Sequence, residues 1–276
     1  MQNIDLVVKI GSMALIQKED SVIDYNVFQR LAMALRPGMI LVSSGATEIG
    51  RLDYIQRTGH ELTGEKEQIK VDYSAQGQSI LMNNYRTFIR PEYGVRQVLV
   101  EHTHFNDPQR REHIRQMLYR AAEQNAIPII NYNDPVNDEE VSKLELASRR
   151  AEGMEVVECV DNDETAAVVA RLVHAKNLIL LTGTHGIYLN KDDPSTLIPV
   201  IHTADALQLI ESGVINGGML PKVTCCIDAI RWGVHRVFII DGRVPHAILI
   251  EMLTNEGIGT MFVAGQGGKT DEHSAT

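Results

Sequence analysis

Positive charge is scarce in this chain: 26 lysines and arginines face 36 aspartates and glutamates, a formal net charge of −10. Such an acidic protein offers no general surface to nucleic acid or an anionic membrane, although a local cationic site can still hold a nucleotide. Long hydrophobic runs are absent as well. The apolar opening from Met1 to Ile10 is short and interrupted by Asp5 and Lys9, so it reads as neither signal peptide nor membrane span. Cysteine is sparse. Cys159, Cys225 and Cys226 make an odd number, and 225 and 226 are neighbours on a helical pattern, where adjacent residues do not face each other. No Cys/His spacing suggests zinc, a disulfide framework is not expected, and a reducing, cytoplasmic compartment is. Neither a Gly/Pro/Ser-rich linker nor an internal repeat divides the chain. The first strand is not followed by Gly-x-Gly-x-x-Gly, which speaks against a dehydrogenase.

What is present is an alternation of strands and helices across 276 residues. Short apolar runs read as buried strands at Leu6–Ile10, Met39–Val42, Val95–Val100, Ile127–Ile130, Leu178–Thr182, Leu197–Ile201, Val237–Ile240 and Thr260–Val263. Helical patterns lie between them at 24–35, 65–89, 108–124, 161–174, 203–210, 223–232 and 245–253. Residues 51–63 read as polar and irregular, and 136–159 as a charged excursion, hairpin or helix. The expected fold is α/β, a three-layer αβα sandwich around a mainly parallel sheet. It forms one domain over residues 1–264, and the Gly-, Ser- and charge-rich stretch 265–276 reads as a disordered tail.

Several loops carry candidate chemistry. Gly217-Gly218-Met219-Leu220-Pro221-Lys222 opens a helix. Two glycines allow close backbone approach, and a helix N-terminus with a lysine favours phosphate. The stretch is either an anion clamp or a plain Gly-rich helix entry. Lys9, near the end of a buried strand, either meets an anionic partner or snorkels outward. Ser43-Ser44-Gly45-Ala46 is a second ligand loop or an ordinary cap. Asp161-Asn162-Asp163 opens an apolar helix, where acids complement the dipole or face a shared site. His102, His104 and Asp107 read as polar loop residues in preference to metal ligands, and no metal-ligating residue is assigned.

In their order these motifs resemble the amino acid kinase family. Val8-Lys9-Ile10-Gly11-Ser12, Val42 to Ala46, Tyr73 to Gln78, Asn131 to Asp134 and Asp161 to Asp163 look like glutamate 5-kinase, catalytic domain. Gly217 to Lys222, Asp241 to Ala247 and Gly257 to Thr260 look more like acetylglutamate kinase. The resemblance implies a carbamate kinase-like fold, with substrate held by the N-terminal part and nucleotide by residues 165–264. It implies an ATP-dependent kinase, with Mg²⁺ on the ATP phosphates. Lys9 and Lys222 would flank the transferring phosphoryl and Asp163 would hold them. Ser44, Gly45, Asp134 and Asn162 would bind the acceptor, and Gly11, Thr182, Tyr188, Gly217 and Gly218 would lie along the nucleotide. Glutamate is the implied acceptor, as in proline biosynthesis. The alternative is another acceptor, such as N-acetylglutamate, a different amino-acid derivative or a phosphorylated metabolite. A small acidic substrate and a homo-oligomer, dimer or tetramer, complete the expectation. Three departures stand out: Gly183 where the family has aspartate, Tyr132 where it has an acid, and a longer segment between Asp134 and Asp161. Gly183 keeps a third reading open, a non-catalytic binding protein on the same fold.

Overall fold

A computed structural model of the chain describes residues 4–17, 21–154, 156–254 and 257–265. One eight-stranded sheet organises them, in the order β5-β6-β4-β1-β7-β9-β10-β8. Its members are β1 (Leu6–Ile10), β4 (Met39–Ser43), β5 (Gly94–Val100), β6 (Ala126–Tyr132), β7 (Asn177–Thr182), β8 (Val200–His202), β9 (Arg236–Asp241) and β10 (Thr260–Val263). A small antiparallel ribbon pairs β2 (Ile16–Gln17) with β3 (Val22–Ile23). The sheet is parallel from β5 to β9, and β10 runs antiparallel to β9.

The topology turns at β1. It pairs with β4 on one side and β7 on the other, so the chain fills one half of the sheet before crossing to the second. In open α/β sheets, ligands bind beyond the carboxyl ends of the strands at such a reversal.

Strand alternation sorts the side chains between two layers of helix. Leu6, Val8 and Ile10 of β1 join one core, while Val7 joins the other. The first core meets α1 (Tyr25–Ala34), α3 (Lys66–Phe88) and α10 (Ala247–Leu253). The second meets α5 (Pro108–Glu123), α7 (Asn162–Leu172), α8 (Thr203–Glu211) and α9 (Leu220–Arg231). Helices α2 (Ala46–Thr58), α4 (His102–Asn106) and α6 (Glu139–Ala151) complete the described set. Caps follow the sequence: Asp24 accepts from Asn26 N–H, Asp107 from Arg110 N–H, and Asp161 from the N–H groups of Asp163 and Glu164.

The αβα architecture is the expected one. Residues 51–58, read as irregular, are helical: they belong to α2, which presents Ile49 and Gly50 to the interior and a polar face outward. Gly50 and Gly77 let α2 and α3 cross in backbone contact; a Cβ on Gly77 would lie 1.8 Å from Ala46 O. That packing, not periodicity, sustains α2. The strand expected at 197–201 forms at Val200–His202. The 136–159 excursion contains α6, a helix. From residue 266 on, the tail lies outside the described residues. Among the described residues no helix is long and apolar enough to cross a membrane.

Candidate active site

Lys9 lies on the same side of β1 as Val7, the side covered by α7 and α9. Those two helices begin with the other partners: Asp163 is in the first turn of α7 and Lys222 in that of α9. Lys9 Nζ stands 2.7 Å from Asp163 Oδ1, and Lys222 Nζ 2.5 Å from Asp163 Oδ2. Lys9 is only 5% exposed, so this carboxylate supplies the partner that a buried ammonium requires. Burial alone would raise the Asp163 carboxyl. The Lys9 and Lys222 ammoniums outweigh it and hold the group below the usual carboxylate range. One carboxylate thus holds two ammonium groups, and these three side chains together carry one net positive charge.

Four loops surround that charge. Gly11 N–H donates to Leu181 O at 3.1 Å, tying the end of β1 to β7. Ser44 N–H donates to Ile10 O at 3.1 Å. Gly45, with φ +106°, caps α2 through its backbone alone, and a Cβ there would meet Leu15 Cδ1 at 2.9 Å. The loop therefore does cap α2, as the plainer alternative had it, but through the glycine and not through a serine hydroxyl. Asn162 Nδ2 donates to Asn131 Oδ1 at 2.9 Å, joining the start of α7 to the end of β6. Asp134 lies further out, 3.6 Å from Lys70 Nζ. Burial pushes its carboxyl above the usual range against the opposing pull of Lys70. Beside this pair a cavity of about 720 Å³ opens between the first turns of α3 and the Asn137–Lys143 stretch.

On the other side a cavity of about 580 Å³ lies between the loop after β7 and the loop before α9, with Tyr188, Lys191, Ser212, Asn216 and Met219 in its wall. Tyr188 therefore lines it directly. Gly217 and Gly218 sit between two wall residues, and Gly217 takes φ +53°. Thr182 stands behind, its hydroxyl donating to Thr184 O at 2.9 Å. At Gly183 the main chain is held from outside: Arg243 Nη2 donates to Gly183 O at 2.8 Å while its guanidinium grips Asp241.

The structure thus brings Lys9, Asp163 and Lys222 into contact and rings them with Gly11, Ser44, Gly45 and Asn162. Asp134 and Tyr188 mark opposite flanks. Sequence reasoning assigned no role to Lys70, Asn131, Gln78 or Arg243. Gln78, Asn131 and Arg243 lie inside the resembling motifs, which was the available signal for them, whereas Lys70 is unremarkable until the fold supplies its partner. His102 is buried against Glu145, His104 accepts from the Glu101 N–H, and Asp107 caps α5. Among the described residues no three His, Cys, Asp or Glu side chains gather as a metal site.

At the switch point of the αβα sandwich, two ammonium groups share one carboxylate, an arrangement able to neutralise an anionic ligand. Residues 6–241 match the amino acid kinase family, and the chain belongs to it. It is 49% identical to the acetylglutamate kinase of Nostoc sp. over 107 residues, 39% of this chain and 36% of that protein. It is 52% identical to the acetylglutamate kinase of Brachyspira hyodysenteriae over 103 residues, 37% and 36% of the two chains. The match thus spans about a third of the length of these relatives. They bear a different name from the glutamate 5-kinase that the N-terminal motifs suggest. Among solved structures the fold is similar to that of carbamate kinase from Giardia lamblia bound to AMP-PNP, with TM-score 0.61 at 13% identity over 96% of this chain and 100% of that one. It is also similar to isopentenyl phosphate kinase from T. acidophilum, with TM-score 0.58 at 15% identity over 94% and 99%.

Proposed function

We propose that this protein transfers the γ-phosphoryl group of ATP to the carboxylate of a small acidic acceptor, giving an acyl phosphate and ADP. The observation that carries the reading is the pair of ammonium groups bound to Asp163 at 2.7 and 2.5 Å. A carboxylate is already a nucleophile, so the reaction needs positioning and charge neutralisation more than a strong base. An acceptor carboxylate oxygen attacks Pγ, the bond from Pγ to the β–γ bridging oxygen breaks, and the electron pair leaves with ADP. Lys9 and Lys222 neutralise the equatorial oxygens and the departing bridge. Asp163 keeps both lysines aimed and apart. Bound Mg²⁺ would supply further neutralisation of the β- and γ-phosphates. The nucleotide belongs in the Tyr188–Met219 cavity, and the acceptor on the Ser44, Asn162 and Asp134 side.

N-acetylglutamate is the acceptor we favour. The matched relatives are acetylglutamate kinases, and Asp134 already has a cation in Lys70. An acyl-amino acid brings no ammonium to compete for it. Free glutamate is the second reading, because the Asp134–Lys70 contact is long at 3.6 Å and a substrate ammonium can take the lysine's place. The test is hydroxylamine trapping of acyl phosphate with ATP, Mg²⁺ and a panel of glutamate, N-acetylglutamate, aspartate and related acids. Hydroxamate with N-acetylglutamate alone supports the favoured reading, and hydroxamate with glutamate alone supports the second. No hydroxamate and no ADP from any acid removes both and favours a binding protein. A dimer or tetramer remains part of the proposal and is checked by light scattering.

A further inference from the structure

Three side-chain amides run in a chain across the acceptor side. Asn162 Oδ1 accepts from the backbone N–H of Tyr132 at 2.9 Å. That backbone group can only donate, so the Asn162 amide has one orientation and its Nδ2 is the end facing Asn131. Nδ2 donates to Asn131 Oδ1 at 2.9 Å, which orients Asn131 in turn, and Asn131 Nδ2 donates to Gln78 Oε1 at 2.7 Å. One backbone donor thereby sets three amides. Turning Gln78 alone would bring two NH₂ groups face to face, and turning all three would set the Tyr132 N–H against an NH₂. The last atom of the chain, Gln78 Nε2, is consequently a fixed donor. It has no partner among the described residues, and Gln78 is 8% exposed.

Its surroundings hold it there. Ser74, Gln78, Leu81 and Tyr85 form one buried face of α3. Tyr85 OH lies 2.7 Å from Ser43 Oγ, which sets that face against the end of β4, next to Ser44 and Gly45. Gly77, in backbone contact with α2, prevents α3 from sliding. Gln78 therefore sits by the carboxyl ends of the paired strands β4 and β6. Buried donors in native proteins are almost always bonded. Among the described residues Asn84 Nδ2 and His102 Nδ1 are also buried without partners, but no hydrogen-bonded chain there joins either of them to Asn162 and Asp163.

We propose that Gln78 Nε2 binds a carboxylate or carbonyl oxygen of the acidic acceptor, and that Gln78 is a specificity-determining residue of the reaction. This rests on the kinase reading and on the acceptor lying on this side of Asp163. Two variants separate ligand binding from a purely structural tether. Gln78→Glu keeps an oxygen for Asn131 Nδ2 but replaces the donor with a second oxygen. Gln78→Met removes both groups at similar volume. A ligand donor makes Glu the worse of the two toward an anionic acceptor, whereas a tether makes Met the worse. Steady-state kinetics would use whichever of N-acetylglutamate or glutamate the wild type phosphorylates, with melting curves on all three proteins. The expected result is a KM for the acid raised about 10-fold or more in both variants, larger in Gln78→Glu, with the KM for ATP within about twofold of wild type. An unchanged KM for the acid, a fall in kcat alone, or Gln78→Met as the worse variant overturns the inference and leaves the kinase reading intact. A wild type that phosphorylates no acid overturns both.

Discussion

Asp163 binds two ammonium groups with one carboxylate, so its replacement has two separable consequences. Asp163→Asn leaves Lys9 buried without a counter-charge, and the expected destabilisation is about 3 kcal/mol at pH 7 by urea unfolding. The folded-state pKa of Asp163 is depressed, so its contribution is complete above the unfolded carboxylate range and is lost as pH falls through the folded value. The wild-type advantage over Asp163→Asn should hold from pH 7 down to about 4 and shrink only below it. An advantage already gone at pH 5 would contradict the depressed pKa. Lys222→Ala, on the proposed function, is expected to act on chemistry. Lys222 is a quarter exposed and its removal leaves Asp163 paired with Lys9. The expectation is a folded protein whose kcat falls about 100- to 1,000-fold. A loss under tenfold would take Lys222 away from the transferring phosphoryl.

At the scale of elements, α2 and α3 cross in backbone contact. A Cβ on Gly50 would lie 1.8 Å from Tyr73 O, and one on Gly77 equally close to Ala46 O. Gly50→Ala and Gly77→Ala should each cost about 2 kcal/mol or more, since backbone cannot give way as a flexible side chain can. Gly183 is the contrast: nothing lies within 4 Å of its Cβ position, so Gly183→Asp should stay within about 0.5 kcal/mol of wild type. Equal melting temperatures for Gly77→Ala and wild type would refute the crossing. Asp161 connects element to site. It accepts from the N–H groups of Asp163 and Glu164 at 2.7 and 2.8 Å, so Asp161→Ala should cost about 1 kcal/mol. It should also lower kcat by loosening the turn that carries Asp163.

Over the whole molecule, the proposed function puts nucleotide and acceptor on opposite flanks of Asp163 and its two lysines, so each should stabilise the fold independently. ATP at about 100 times its dissociation constant should add about 2.7 kcal/mol to the unfolding free energy. Tyr188→Ala should reduce that gain, because Tyr188 lines the cavity proposed for the nucleotide. An undiminished gain in this variant would move the nucleotide elsewhere. Much of the architecture was legible along the chain. Apolar runs such as Leu178–Thr182 and caps such as Asp107 depend on near neighbours, and near neighbours are what a sequence displays. The same alternation that makes β1 a strand puts Lys9 on the opposite face from Val8 and Ile10. The family's residue order marked Lys9, Asp163 and Lys222 as partners. Their contact is another matter, because Asp163 and Lys222 are 59 residues apart and meet only because α7 and α9 start at the same end of one sheet. Helix α2 was misread at 51–58 because its stability comes from Gly77 of another helix. Lys70 beside Asp134 and the unpartnered donor of Gln78 were equally out of reach, since a partner's presence or absence is a property of packing. The sequence by itself determined the alternating elements and the chemical groups available. The tertiary structure decided which groups converge, because the reversal at β1 brings separate strand and helix ends to one point in space.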